Sequence, residues 1–346
     1  MTGIHSEMIK VWINDSPITG GHAFRGIGVY TRNLIESLKK DKNIKLVDKQ
    51  EADIHHYPYF DLFFNTLNPD AKKPTVVTIH DVIPLIYPRH YPAGLKGMIR
   101  FFKQKGTLKR IQAIITDSET SKKDIVRFLN VPQEKINVIH LGPNTQFRKV
   151  EVGRWKMEIQ KKYGVPDKFI LYVGDVNYNK NTEGLIKAVS LLKTKNICLV
   201  LVGRAFQGDS IEAKHTLQLI EELNLKDKVI MPGFVPDEDL VKIYNLATVY
   251  CQPSFYEGFG LPVLEAMACG VPVIAAKTQA LIEIAEGKAY FFDPKDFQEI
   301  ANGLDAVLSD TGLRTGLVKD GLVHAKNFSW EKVTNGTVQV YKKILN

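Results

Sequence analysis

The stretch Val249-Tyr-Cys-Gln-Pro-Ser-Phe-Tyr-Glu-Gly-Phe-Gly-Leu-Pro-Val-Leu-Glu265 changes character twice within seventeen residues. Val249–Gln252 is a short apolar run of strand type. Pro253–Gly260 is a loop carrying two glycines. From Pro262 the apolar spacing becomes helical, and proline suits a first turn, where no intrahelical N–H is lost. Strand, glycine loop and helix in succession form the unit from which doubly wound parallel sheets are built. In such sheets ligands bind beyond the carboxyl ends of the strands, so the residues directly after each strand are the ones to inspect.

The same alternation runs through the whole chain of 346 residues. Strands are expected at Lys10–Asn14, Ala52–Tyr57, Thr75–Asp81, Ala113–Ser118 and Ile136–Leu141. Helices are expected at Gly28–Lys40, Ala93–Arg110 and Ser121–Leu129. A second series follows, with strands at Phe169–Val173, Ile197–Val202, Val229–Met231, Val249–Gln252 and Val271–Ala275. Its helices are Thr182–Leu192, Ser210–Leu223, Asp237–Leu246 and Pro262–Cys269. Near-continuous apolar strands separated by helices indicate parallel sheets buried on both faces. Two such series indicate an α/β protein of two Rossmann-like, doubly wound domains, residues 1–150 and 151–328. The closing segment 329–346 is a further helix, Trp330–Leu345, behind a Ser329 N-cap. The boundary lies near Gly142–Lys168, where Pro143, Gly164 and Pro166 flank a charged helix-like piece, Val150–Tyr163.

Composition is that of a water-soluble globular protein, 44% apolar and 24% charged. No apolar run reaches the roughly 20 residues that span a bilayer. Met1–Lys10 is polar and lacks a signal-peptide core, so a cytoplasmic location is expected. The three cysteines, Cys198, Cys251 and Cys269, sit in apolar contexts without the spacing of a metal site, as buried thiols in a reducing compartment do. Residues 1–150 hold 23 Lys and Arg against 14 Asp and Glu, an excess of +9, whereas residues 151–346 hold 23 against 24. The asymmetry points either to an anionic partner of the first half or to a lysine-rich solvated surface.

The glycine loop carries the chemistry. Gly258 and Gly260 let the backbone approach a ligand and expose successive N–H groups, and a helix N-terminus behind such a loop favours phosphate. Glu257 in the loop and Glu265 in the first helical turn flank that position. Carboxylates repel phosphate, but they accept hydrogen bonds from hydroxyl groups on either side of it. A nucleoside-diphosphate sugar has that layout, with hexose hydroxyls, diphosphate, then ribose hydroxyls. The plainer alternative is a capped helix with surface glutamates.

These residues resemble glycosyltransferase family 4, retaining enzymes of the GT-B fold, in which a glutamate, seven residues and a second glutamate surround a Gly-Phe-Gly-Leu-Pro core. The resemblance extends to Gly26-Ile-Gly-Val-Tyr-Thr-Arg-Asn-Leu34, Thr78-Ile-His-Asp81, Leu171-Tyr-Val-Gly174, Lys180-Asn181, Leu201-Val-Gly203, Pro232-Gly-Phe-Val235 and Cys269-Gly-Val-Pro-Val-Ile274. The first-half strings are most similar to the mannosyltransferase-like branch that builds bacterial surface polysaccharides. The resemblance implies two domains facing across a cleft, with the C-terminal helix crossing back to the first. It implies transfer of a hexose, mannose-like by the branch, from a nucleoside-diphosphate sugar to a glycan or lipid-linked acceptor, with no metal or other cofactor. It implies that Glu257 bonds the donor sugar, that Glu265 bonds the ribose, and that the amides of Phe259, Gly260 and Leu261 hold the distal phosphate. Lys180 would neutralise the departing diphosphate, His80 would face the donor sugar from the first domain, and Phe234 and Val235 would lie near the base.

Further candidates rest on position. Arg204 follows a strand and can approach phosphate or base. Gly26 and Gly28, placed before the first helix, either bring the loop to the phosphates or make its turn, and Arg25 beside them is a spare cation or a solvated one. The sequence departs from the family after Val173-Gly174, where an arginine is common; here Asp175 and Asn179 occupy those places. Asp237-Glu-Asp239 has the form of a metal-binding Asp-x-Asp but is expected to be the acidic first turn of a helix. His55 and His56 point to opposite faces of a strand and are expected to be structural.

The segment 95–110 mixes Lys96, Arg100, Lys103, Lys105, Lys109 and Arg110 with apolar residues at helical spacing. Such a helix can lie on an anionic membrane surface, which would make the protein peripheral at the inner face of the membrane, or pack on the sheet with its cations in water. A GT-B epimerase or hydrolase, or a nucleotide-sugar-binding protein without transfer activity, shares most of these features. A nicotinamide oxidoreductase is disfavoured, since neither half has Gly-x-Gly-x-x-Gly after its first strand. No nucleic-acid partner is expected, because it would leave the glutamate–glycine segment unexplained.

Overall fold

The computed structural model describes residues 8–19 and 26–346. The chain forms two compact units, one from the chain up to Gly142 together with Ser329–Asn346, the other from Pro143–Phe328.

The first unit is a six-stranded sheet of β1 (Ile9–Ile13), β2 (Ile44–Leu46), β3 (Ile54–Tyr57), β4 (Thr75–Thr78), β5 (Ala113–Thr116) and β6 (Ile136–Val138), in the order β2-β1-β3-β4-β5-β6. Every pairing is parallel. β3, β4 and β5 are buried at every residue, which is why their sequences run apolar without alternation. The expected strands ending at Asp81 and Ser118 stop instead at Thr78 and Thr116, leaving Ile79–Asp81 and Asp117–Ser118 as loops on the carboxyl edge. The three-residue edge strand β2 carried no sequence signal. The helix expected from Ser121 begins at Glu119, capped by Ser118 accepting from the Ser121 amide, and its end, Ile125–Leu129, widens to the π form. Gly26 and Gly28, expected ahead of the first helix, lie in the first turn of Gly26–Leu38. Only the backbone-entropy cost of glycine opposes this, and a first turn has fewer intrahelical bonds to lose. Arg25 lies outside the described residues.

The C-terminal helix Trp330–Leu345 packs on the helix Gly26–Leu38 and on β5. The Ser329 side chain caps it, accepting from the Lys332 amide. It is tied to the sheet through polar groups. The Tyr341 hydroxyl bonds His56 Nδ1 at 2.6 Å, His56 Nε2 bonds Thr78 Oγ1 at 2.9 Å, and the Tyr30 hydroxyl meets the same Thr78 oxygen at 3.2 Å. Burial, with the nearby His80 adding to it, pushes the His56 pKa down to about 3, so the ring bridges as a neutral imidazole. His55 turns the other way, its Nε2 bonding the Lys49 carbonyl.

The second unit is a sheet of β7 (Phe169–Val173), β8 (Cys198–Val202), β9 (Val229–Gly233), β10 (Val249–Gln252), β11 (Val273–Ala276) and β12 (Tyr290–Phe292), in the order β12-β11-β10-β7-β8-β9 and parallel throughout. Edge strand β12 and the helices Gln279–Ala285, Phe297–Ser309 and Thr311–Ala325 were not foreseen. The direction of winding reverses between β7 and β10, the place where doubly wound sheets open a crevice.

Tyr341→Phe strands His56 Nδ1 in the core without a partner. The change is expected to destabilise this unit by about 1–3 kcal/mol, read as faster hydrogen exchange of the β3 and β4 amides.

Candidate functional site

Two loops meet where the second sheet reverses. Lys180 ends the short 3₁₀ turn Tyr178–Lys180 after β7, and Glu257 lies in the loop after β10. The Lys180 ammonium stands 2.9 Å from both carboxylate oxygens of Glu257. Glu257 is 5% exposed. Its Oε1 also accepts from Gln252 Nε2 at 2.9 Å and from Ser254 Oγ at 2.6 Å. Gln252 in turn accepts from the Tyr250 hydroxyl. A buried carboxylate needs such compensation, since an unpaired charge in the interior is strongly disfavoured.

Two asparagines join the loops. Asn179 Nδ2 donates to the Tyr256 carbonyl at 3.0 Å, and its own carbonyl accepts from the Phe255 amide at 2.8 Å. Asn181 has a left-handed backbone, φ 51°. Its side chain donates to the carbonyls of Pro253 and Pro294 and caps the helix Thr182–Ser190 by accepting from Gly184. Asn179 therefore cross-links the β7 and β10 loops in the place where relatives of the resembled family often carry an arginine. Asp175 accepts from its neighbouring Val176 amide. In the sequence Asn179 reads only as a missing cation, and Asn181 appears in the Lys180-Asn181 string without a role; the Asn-Lys-Asn string after a strand was the signal available.

Gly260 has φ 104°, a backbone that favours glycine, and a Cβ there would stand 2.5 Å from Leu281 Cδ2, which would have to shift. It opens the helix Leu261–Ala268, with Phe259 buried before it and Pro262 in the first turn. The leading amides of that helix lack intrahelical acceptors and carry its positive end. Glu265, expected in the first turn, is the fifth residue, a turn in. Its Oε2 accepts from the Tyr244 hydroxyl at 3.0 Å. Burial pushes its pKa up to about 7, with Asp237 adding to the rise and the Tyr244 bond opposing it.

Arg204 is exposed in the turn Arg204–Gln207 after β8, and half-exposed Phe234 and buried Val235 follow β9. Gly203 N donates to Gly233 O, joining these two loops. All lie on the carboxyl edge of the sheet that holds Lys180 and Glu257. Among the described residues, Arg204 and Glu265 bond to neither. Asp237–Asp239 is the acidic first turn of the helix Asp237–Leu246. Asp239 accepts from Lys162, Lys242 and the Tyr163 hydroxyl. Burial raises its pKa, but these bonds outweigh burial and hold it at about 2.

In the first unit, His80 sits just beyond β4 with Nδ1 2.6 Å from Asp117 Oδ2, just beyond β5. The Tyr30 ring stands edge-on to it at 4.6 Å, and Ser121 Oγ donates to the His80 carbonyl. Burial lowers the His80 pKa, but the charge and hydrogen bond of Asp117, with Asp81 behind them, outweigh it and leave it raised. Asp117 was not singled out in the sequence, although an acid directly after a strand was the cue.

The model for Glycosyltransferase Family 4 matches residues 28–147, and that for Glycosyl transferases group 1 matches residues 154–322. The O-antigen chain mannosyltransferase B of Escherichia coli is 32% identical over 295 residues, 84% of this chain and 74% of that protein. The serotype-specific mannosyltransferase WbdA of Escherichia coli is 28% identical over 274 residues, 78% of this chain, and this chain spans 34% of its length. Among solved structures, the sucrose-phosphate synthase of Thermosynechococcus elongatus shares the fold, with a TM-score of 0.75 over 98% of this chain and 99% of that one at 20% identity. With both halves matched in order and a mannosyltransferase nearly a third identical across most of both chains, this protein belongs to the group 1, family 4 glycosyltransferases of the GT-B fold.

Proposed function

We propose that the protein transfers a hexose, mannose in preference, from a nucleoside-diphosphate sugar to a glycan or lipid-linked acceptor of a bacterial surface polysaccharide, with retention of configuration and without metal or other cofactor. The observation that carries this is the contact of Lys180 with Glu257 beside the Gly258–Gly260 loop, at the reversal point of the second sheet. The names of the two Escherichia coli relatives favour mannose and a surface glycan. Lys180 shares its charge with the diphosphate, and the amides of Phe259, Gly260 and Leu261 cradle the distal phosphate at the helix N-terminus. Glu257 accepts from sugar hydroxyls and Glu265 from the ribose. Phe234 offers a half-exposed ring to the base, and the exposed Arg204 reaches for base or phosphate. In front-face attack, the acceptor oxygen bonds to the anomeric carbon on the side from which the diphosphate leaves, the bond to the phosphate oxygen breaks, and that oxygen takes the acceptor's proton. With Asn179 in place of an arginine, the leaving group has one cation fewer, a loss on the order of 10²-fold unless Arg204 or the first unit supplies it.

The acceptor side is proposed to dock on an anionic membrane at its inner face. Among the described residues no helix is long and apolar enough to cross a membrane. The helix Gly94–Leu108 turns Gly97, Phe101, Gln104 and Leu108 inward, while Leu95 (81% exposed), Ile99 (63%) and Phe102 (64%) face solvent with Met98 and the nearby Phe64. Lys96, Arg100 and Lys103 lie among them, whereas Lys105 is turned aside to the Phe128 carbonyl. An apolar strip rimmed by cations is what an anionic interface binds.

Calorimetry with UDP, GDP and ADP should show binding by at least one, weakened about tenfold or more by Lys180→Ala; binding by none would remove the donor site. Glu265→Gln is expected to weaken binding of the free nucleoside diphosphate, and Glu257→Gln mainly to slow transfer; equal effects on diphosphate binding would refute the division. Because Glu265 is ionised only above about 7, affinity should fall as it gains a proton on going to lower pH, and Glu265→Gln should abolish that component while leaving the phosphate's own titration. In co-sedimentation, anionic vesicles should retain the protein at low salt and lose it as salt rises, while neutral vesicles bind little. Lys96→Gln, Arg100→Gln and Lys103→Gln together should release it; indifference to these changes would leave the helix a solvated surface.

A further inference from the structure

Both ring nitrogens of His80 face oxygens. Nδ1 lies 2.6 Å from Asp117 Oδ2, and Nε2 lies 3.3 Å from the carbonyl oxygen of Pro58. A carbonyl has no proton to give, and neither has an ionised carboxylate. A neutral imidazole carries one N–H, so it would turn a lone pair against one of these two oxygens. Only the imidazolium, with a proton on each nitrogen, satisfies both.

The surroundings fit that state. Asp117 is 3% exposed at the carboxyl end of β5, and among the described residues its second oxygen, Oδ1, has no hydrogen-bond partner, so its charge is not spent elsewhere. Asp81, on the His80 loop, adds a second negative charge. The helix Gly26–Leu38 contributes Tyr30, whose hydroxyl burial pushes up and keeps neutral, and β3 contributes His56, which burial pushes down and keeps neutral. The helix Glu119–Asp124 contributes the Ser121 hydroxyl.

We infer that Asp117 is the positioning residue that holds His80 as an imidazolium, so that the ring offers a charged N–H to an oxygen ligand of the first unit and has no lone pair with which to take a proton. The Nε2–H is the one on offer, since 3.3 Å to Pro58 is long for an N–H···O bond and is readily exchanged for a better acceptor. For its catalytic meaning the inference rests on the proposed donor chemistry; for the protonation state it does not.

Nitrogen-15 NMR of the histidine rings, with His80 assigned by its loss in His80→Asn, tests this without substrate. Both His80 nitrogens should be protonated at neutral pH, with a midpoint above the ordinary 6.5, and Asp117→Asn should lower that midpoint by about one unit or more. Transfer by the wild type should fall as pH rises through the midpoint, with that limb moved to lower pH in Asp117→Asn. A singly protonated ring at neutral pH in the wild type, or a midpoint indifferent to Asp117→Asn, overturns the inference. The wild-type spectrum suffices if the variant does not fold. A doubly protonated ring in a protein that transfers from no nucleotide sugar would leave the inference standing and remove the proposed function instead.

Discussion

Burial of both sheets on both faces is the constraint from which the rest follows. β3, β4 and β5 in one unit and β10 and β11 in the other have no exposed residue along their length. A polar side chain inside such a strand is favoured to find its partner there, and His56, Thr78 and Gln252 do, whereas among the described residues the Thr116 hydroxyl in β5 has none. Groups that must meet a ligand are therefore displaced to the carboxyl ends, where the chain leaves the sheet. The candidates His80, Asp117, Lys180, Arg204, Phe234 and Glu257 all follow a strand's last member, from one residue after it for Asp117 to seven for Lys180. The two sheets use that edge differently. The second brings a lysine and a glutamate together where its winding reverses, and the first brings a histidine and an aspartate together beyond its adjacent strands β4 and β5.

The same constraint decides what could be read in the sequence. Central strands announce themselves because burial on both faces demands an unbroken apolar run, and Phe169–Val173 and Val249–Gln252 have the expected bounds. Two of the four edge strands do not, although β6 and β9, also at edges, were expected. Ile44–Leu46 and Tyr290–Phe292 are three residues each, too short for any period, and each pairs on one side only. The sequence overextends β4 because Ile79 is as apolar and as buried as the strand before it, and its amide still bonds the Ile115 carbonyl of β5 although the strand ends at Thr78. The helix Thr311–Ala325 was missed because little of it is buried, leaving no apolar stripe to see.

The site was legible where chemistry and backbone geometry coincide, as in the glycine loop with its two glutamates. It was illegible where a residue acts through a contact distant in sequence. Nothing near Asp117 says that His80, 37 positions earlier, will close on it. Nothing near Asn179 says that it will bond the backbone of Tyr256, 77 positions later. Its role explains why a neutral amide can stand in that place.

Two glutamates beside a loop proposed to bind phosphate look contradictory when formal charges are counted. The structure removes most of the conflict by two separate means. Glu257 is neutralised by direct contact with Lys180, so that the pair meets an incoming anion as a dipole rather than as a negative charge. Glu265 has no cation, but burial raises its pKa to about 7, so near neutral pH it is ionised in only part of the population. A hydroxyl-rich ligand can then be held by carboxyl oxygens on either side of the loop without the repulsion that two free carboxylates would impose on its phosphates. Lys180 carries both burdens, since the charge that quiets Glu257 is the one proposed to meet the diphosphate. That double duty makes Asn179, which stands in the β7 loop without a charge of its own, the most consequential feature of this unit's chemistry.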